Sequence, residues 1–147
     1  MTETDPRAEA VRATFAQIPQ VAALGIVIEE LSGGVARMTM PYDPQLVGDP
    51  ATGVMHGGAV STLLDSCSGA AVGCHPQATG QTATIDLRIN YIRPAAPGQA
   101  ISARAHCYHV TRSFAFIRAT AHDEDTSLPV AEAVGTFTFN ADPQVEA

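Results

Sequence analysis

The sequence predicts an α+β fold: an antiparallel sheet wrapped around one long central helix, with a further helix at the N-terminus. Three observations predict it. Residues 56–74 form one run of apolar and small residues, too long for a strand and closed by His75-Pro76. After it come only strand-like runs, with no helix between them to carry a parallel crossover. Before it, two short β-rich runs are joined by Ser32-Gly33-Gly34, a hairpin signal. At 147 residues the chain reads as one domain, 1–147, with its core at about 24–140.

In chain order, Thr4 and Asp5 before Pro6 open an N-terminal helix over about residues 5–18, since proline is tolerated at the first helical position. Val11, Phe15 and Ile18 share one face of it, and Pro19 is read as its end. Strands follow at Leu24–Leu31 and Val35–Met40. The proline- and glycine-rich segment 41–53 reads as a loop with a turn of helix. In the central helix Val60, Leu63, Leu64, Cys67 and Ala71 form the buried pattern. Residues 81–91 then alternate, with Ala83, Ile85, Leu87, Ile89 and Tyr91 on one face and Thr82, Thr84, Asp86, Arg88 and Asn90 on the other. Strands over 100–110, 113–122 and 129–140 complete what reads as a meander, with a tail fraying from Ala141.

Apolar residues make up 46% and charged ones only 16%, against about 25% in a typical domain. So little charge predicts surface covered by another copy of the chain. The net charge of −7 argues against nucleic acid and anionic lipid as partners. No run approaches the roughly 20 apolar residues of a membrane span. The first twenty residues lack the apolar core of a signal peptide. Three widely spaced cysteines imply no disulfide framework. These features together predict a soluble, cytoplasmic protein. Cys67 and Cys74 are read as core residues. His106 and His109 fall on opposite strand faces, so no metal site is expected.

The chemistry concentrates in residues 55–72. Gly57 and Gly58 open the central helix, where free N–H groups and the positive end of the helix dipole face outward. A carbonyl oxygen can approach such donors closely, and an oxyanion formed there is stabilised by them. Asp65 is the only charged side chain between His56 and Cys74, in a row of small residues. Partial burial would raise its pKa toward useful values. Eight residues separate Gly57 from Asp65, or roughly 12 Å of helix rise. A nucleophile or base works at about 3 Å from its target. One helix therefore cannot bring both to one carbonyl, whereas two helices packed around a two-fold axis can. His56 is read as a cap that orients the loop rather than as a base. Arg93 and Arg112-Ser113, at strand ends, are the candidate phosphate contacts. Val60, Leu63, Leu64, Phe114 and Phe116 are the candidate pocket residues.

The segments Gly53-Val54-Met55-His56-Gly57-Gly58-Ala59, then Asp65, then residues 84–95 with their Tyr91-Ile92-Arg93-Pro94 ending, resemble the hotdog-fold acyl-CoA thioesterases of the phenylacetic-acid-degradation (PaaI) type. The resemblance implies thioester hydrolysis without a cofactor, in a dimer that commonly pairs into a homotetramer. It implies that the Gly57 N–H polarises the thioester carbonyl and that Asp65 of the other chain is nucleophile or base. Thr84 would help to place water. Many relatives carry an asparagine shortly before the histidine. Here residues 47–52 have none, and Asp49 is the residue that could stand in. Two other readings stay open: a non-catalytic acyl-CoA or small-ligand binder on the same fold, and an acyl-thioester hydratase or dehydratase.

Overall fold

A computed structural model describes residues 5–140. The expectations for Thr4 and for the tail from Ala141 lie outside these residues. Helix α1 (Pro6–Phe15) is capped by Asp5, whose carboxylate accepts the Arg7 N–H at 3.0 Å. It ends at Phe15, and Pro19 does not terminate it. Instead Pro19 opens a second short helix, α2 (Pro19–Ala23), because the position that breaks a helix interior suits a first turn. Strands β1 (Val27–Ser32) and β2 (Val35–Met40) form the expected hairpin, with Gly33 and Gly34 at positive φ in its turn. The turn of helix expected within 41–53 is a 3-10 turn (Pro44–Leu46), and the rest of that loop is instead a small hairpin, β3 (Val47–Asp49) with β4 (Val54–Met55). Its two strands are too short to show a period. Then come α3 (Gly57–Gly73), β5 (Gln81–Tyr91), β6 (Ile101–Val110), β7 (Phe114–His122) and β8 (Ala131–Asn140).

The six-stranded sheet is antiparallel, in the order β1-β2-β6-β7-β8-β5. It is not a simple meander. The strand that follows α3 goes to the far edge, and β6 returns across the sheet to pair with β2. One edge of β5 is therefore unpaired among the described residues.

The sheet curls around α3 because its inner face is small. Ala36, Ala103, Ala105, Ala115, Ala119, Ala121, Ala131 and Ala133 are all buried there. The helix sits low enough for the Cys67 thiol to donate to the carbonyls of Ala36 and Ala103 at 3.4 and 3.5 Å. Burial pushes the Cys67 thiol up to about 12, so it is a packing residue and no nucleophile. Leu63 and Leu64 fill the core beside it. Helix α1 covers the far end of α3, where a Cβ on Gly73 would stand 2.9 Å from Val11 Cγ2. No helix among the described residues is long and apolar enough to cross a membrane.

The loop after β5 is locked by an ion pair. Arg93 donates to both Asp123 carboxylate oxygens at 2.6 and 2.7 Å and to the Leu128 carbonyl at 2.8 Å. Asp123 also accepts the N–H groups of Ala96 and Asp125, and its side chain is 1% exposed. The Arg93 hydrogen bond is the main reason its carboxyl is held well below the usual 3.8. A depressed carboxylate pKa contributes stability above the unfolded value and loses it as pH falls below that value. Asp123→Asn is expected to lower Tm by about 4 °C or more at neutral pH. It should also flatten the fall of Tm between about pH 5 and pH 3. Thermal melts across that range check this, and parallel pH profiles for the two proteins would contradict it.

Candidate active site

Two separate centres lie on α3. The first is its N-terminus. His56 is the N-cap, with Nδ1 accepting the Gly58 N–H at 2.8 Å, so this nitrogen is unprotonated there. Its own N–H donates to the Leu46 carbonyl at 2.8 Å, which ties α3 to the 3-10 turn. Two glycines make room for it. A Cβ on Gly58 would lie 2.9 Å from Nδ1, and a Cβ on Gly48 would lie 2.9 Å from His56 Cα. Gly57 is the first helical residue. Its N–H finds no acceptor among the described residues, while its carbonyl accepts the Tyr91 hydroxyl at 3.0 Å. A groove of about 360 Å³ opens beside it, lined by Val54, Val60, Tyr91 and Pro94 among others. Such an unpaired donor at a helix start, with no side chain over it, suits a carbonyl oxygen that gains charge.

The second centre is Asp65. It is exposed on the single chain, not half-buried as its run of small neighbours suggested. The sheet covers the other face of α3. The Thr84 hydroxyl donates to Asp65 Oδ1 at 2.8 Å. A groove of about 600 Å³ surrounds the pair, walled by Phe15, Ile18, Leu87, Ile89 and Phe137.

Thr84 reaches Asp65 because β5 does not alternate throughout. Thr84 pairs with Phe137, but Asp86 pairs with Thr136, which leaves a bulge at Ile85. One extra residue reverses the parity of everything beyond it. Thr82 and Thr84 therefore line the same groove as Leu87 and Ile89. Ile85, grouped by the alternation with Leu87 and Ile89, leaves their face at the bulge and is 59% exposed at the open edge. Just past the bulge Gly135 pairs with Leu87, and a Cβ on it would lie 2.6 Å from the Asp86 carbonyl oxygen. A glycine inside a strand is a sign of such an irregularity, and it was the one signal in the sequence that could have revealed the bulge.

The remaining expected residues sort plainly. Arg93 is not free for a phosphate, since Asp123 and the carbonyls of Pro94, Asp125 and Leu128 take its donors. Asp49 does not approach Asp65 of its own chain. Its carboxylate accepts from the Ala51 N–H at 3.0 Å and the Thr52 hydroxyl at 3.0 Å, closing its own turn. Arg112 and Ser113 are exposed in the β6–β7 turn. Phe114 and Phe116 alternate with buried Ala115 and Ile117, which puts them on the sheet's outer face, away from either groove. Leu63 and Leu64 are core, and Val60 borders the Gly57 groove instead. Tyr91 was missed as a site residue. Among the described residues no group of three or more His, Cys, Asp or Glu side chains comes together as metal ligands would.

Residues 52–130 match the profile of the thioesterase superfamily. Over 128 residues the chain is 29% identical to the medium/long-chain acyl-CoA thioesterase YigI of Salmonella typhimurium, covering 78% of this chain and 81% of that one. It is 39% identical over 75 residues to a Halobacterium salinarum protein named as an esterase, and there the match spans only about half of each chain (49% and 50%). The fold superposes on the Escherichia coli PaaI protein of the phenylacetic acid degradation operon with a TM-score of 0.81 at 22% identity, covering 94% and 96% of the two chains. With its sheet curled around one central helix, and with its central segment matching the family profile, this chain belongs to the thioesterase superfamily and has the hotdog fold of the PaaI type.

Proposed function

We propose that the protein hydrolyses acyl-CoA thioesters to free acid and CoA, at sites shared between two copies of the chain. The observation that carries this is the pairing of Thr84 with Asp65 at one groove, while the Gly57 N–H, unpaired among the described residues, opens a second. The naming of YigI as an acyl-CoA thioesterase supports the substrate class.

The two centres are eight residues apart on one rigid helix, roughly 12 Å along its axis. A complete site takes Gly57 from one chain and Asp65 from its partner. The free N–H of Gly57 polarises the thioester carbonyl and holds the oxyanion as it forms. Asp65, held by the Thr84 hydroxyl, either attacks the carbonyl carbon or takes a proton from the water that does. The tetrahedral intermediate collapses with loss of the thiolate, which needs little acid assistance; where Asp65 itself has attacked, a water then hydrolyses the resulting mixed anhydride to the free acid and restores the carboxylate. His56 and Gly58 fix the helix start, and the Tyr91 hydroxyl holds Gly57 from its carbonyl side. For the phosphates of CoA, Arg112 and Ser113 remain as candidates.

The dimer rests on the open edge of β5. An eleven-residue strand with one unpaired edge invites another chain, and Ile85 (59%) and Tyr91 (54%) are exposed along it. Pairing of dimers into a homotetramer fits the low charge of the chain. A non-catalytic binder would take up acyl-CoA and release no thiol, and a hydratase would leave the thioester intact. A thiol-detecting assay over a set of acyl-CoAs separates hydrolysis from both.

Asp65→Asn is expected to lower kcat by about 10²–10⁴-fold with the oligomer unchanged. Thr84→Val, which keeps the shape and removes the hydroxyl, should lose less, about tenfold, the equivalent of one hydrogen bond of about 1.4 kcal/mol. Thiol release measured alongside gel filtration checks both, and native turnover in Asp65→Asn would rule the mechanism out. Ile85→Lys places a charge on the open edge. It should shift the protein toward monomer in sedimentation and lower turnover in proportion, and an active monomer would contradict the shared site.

A further inference from the structure

The groove at Asp65 does not stop beside it. A second groove of about 650 Å³ runs on beneath α1, and the two share Phe15, Ile18, Gly69 and Thr82. Together they form one trench along α3 from Asp65 toward Gly73, again roughly 12 Å of helix. Where it leaves the carboxylate toward Gly73, its walls are Thr82 and Phe137 on the sheet side and Val11, Phe15 and Ile18 on the α1 side, while Leu87 and Ile89 line the part that runs toward Gly57. It reaches the surface near Arg7 and Gln81, past the end of α1. No part of the Asp65–Thr84 chemistry needs this extension.

Gly69 sits at the junction of the two grooves. A Cβ there would stand 3.7 Å from Phe137 Cε1, 3.8 Å from Thr82 Oγ1 and 4.0 Å from Phe15 Cζ. These are ordinary contacts, so the glycine is not demanded by packing or by a positive φ. What its missing side chain leaves open is the passage between Phe15 and Phe137. A helix interior pays up to about 1 kcal/mol for glycine over alanine, and here an alanine could be built without displacing a neighbour.

We infer that the trench beneath α1 takes the acyl chain of the substrate, and that Gly69 with Phe15 sets how long a chain is accepted. The occupant follows from continuity. An acyl group whose carbonyl carbon lies at Asp65 has its tail directed along the apolar walls of the same groove. α1 is then the roof of the acyl site, docked at its far end where Val11 meets Gly73. An extended, unbranched chain fits a trench of this form, and a tail that outgrows it exits toward Arg7 and Gln81. This rests on the proposed hydrolysis and names the substrate class within it.

The test compares kcat/KM for straight-chain acyl-CoAs from four to sixteen carbons, as a ratio of long to short, in the native protein and in Gly69→Leu. Native protein should favour the longer chains. Gly69→Leu should lower the long-to-short ratio at least about tenfold, what losing two buried methylenes would cost. Gly69→Ala, which the spacing accepts, should move the ratio the same way by less, and it serves if the leucine variant does not fold. Phe15→Ala should move the preference toward longer or bulkier acyl groups. Active variants whose chain-length profiles coincide with the native one would overturn the trench and leave hydrolysis standing. A native protein that releases no thiol from any acyl-CoA would overturn both.

Discussion

An α-helix rises about 1.5 Å per residue and does not bend to suit a substrate. That constraint governs this protein. α3 carries at Gly57 an N–H unpaired among the described residues and at Asp65 a carboxylate, and its own geometry forbids them from meeting. The rest of the chain follows from holding that helix still while keeping both centres open. The sheet buries one face with alanines, so that the helix sits close and cannot slide. His56 and its two attendant glycines fix where the helix begins. α1 covers only the far end and leaves the Asp65 face bare.

The bulge at Ile85 is the device that joins sheet and helix chemically. Without it, Thr84 would point away from α3 with its neighbours on the outer face. With it, the first part of β5 supplies hydroxyls to the groove, and the second part supplies Leu87 and Ile89 as its wall. Gly135 on the neighbouring strand makes the bulge sterically possible, because any side chain there would strike the Asp86 carbonyl. A glycine in one strand thus sets the partner of a carboxylate two elements away. The exposed edge that β5 presents is the same strand's other contribution, since it offers backbone for a second copy to pair with.

Much of this was legible in the sequence because the governing periods are strong. The limits of β2 and β5 match the runs seen in the sequence residue for residue, and the central helix departs from its run by a single residue at either end. What escaped notice was of four physical kinds. Alternation cannot reveal a one-residue insertion in the pairing register, so Thr84 was grouped with Asp86 and Arg88 rather than with Leu87 and Ile89. Pairing across sequence distance leaves no local trace, so Arg93 looked available while Asp123, thirty residues on, holds it. Burial by a neighbouring layer cannot be judged from composition, so Asp65 seemed half-buried, and Phe114 and Phe116 seemed to face a pocket. Pro19 showed a fourth limit, since the same residue ends one helix interior and starts another helix.

If each active site is divided between two chains, two variants defective in different halves of it should complement one another. Gly57→Pro removes the polarising N–H at a position where proline suits the helix start, and His56 already has the extended backbone that a following proline requires (φ −61°, ψ 137°). Asp65→Asn removes the carboxylate. Each variant alone should be inactive. In a mixed dimer, one site carries both defects, and the other joins an intact Gly57 to an intact Asp65. Co-refolding or co-expressing the two variants is therefore predicted to restore thiol release from acyl-CoA. Mixed dimers that form and remain inactive would contradict the account.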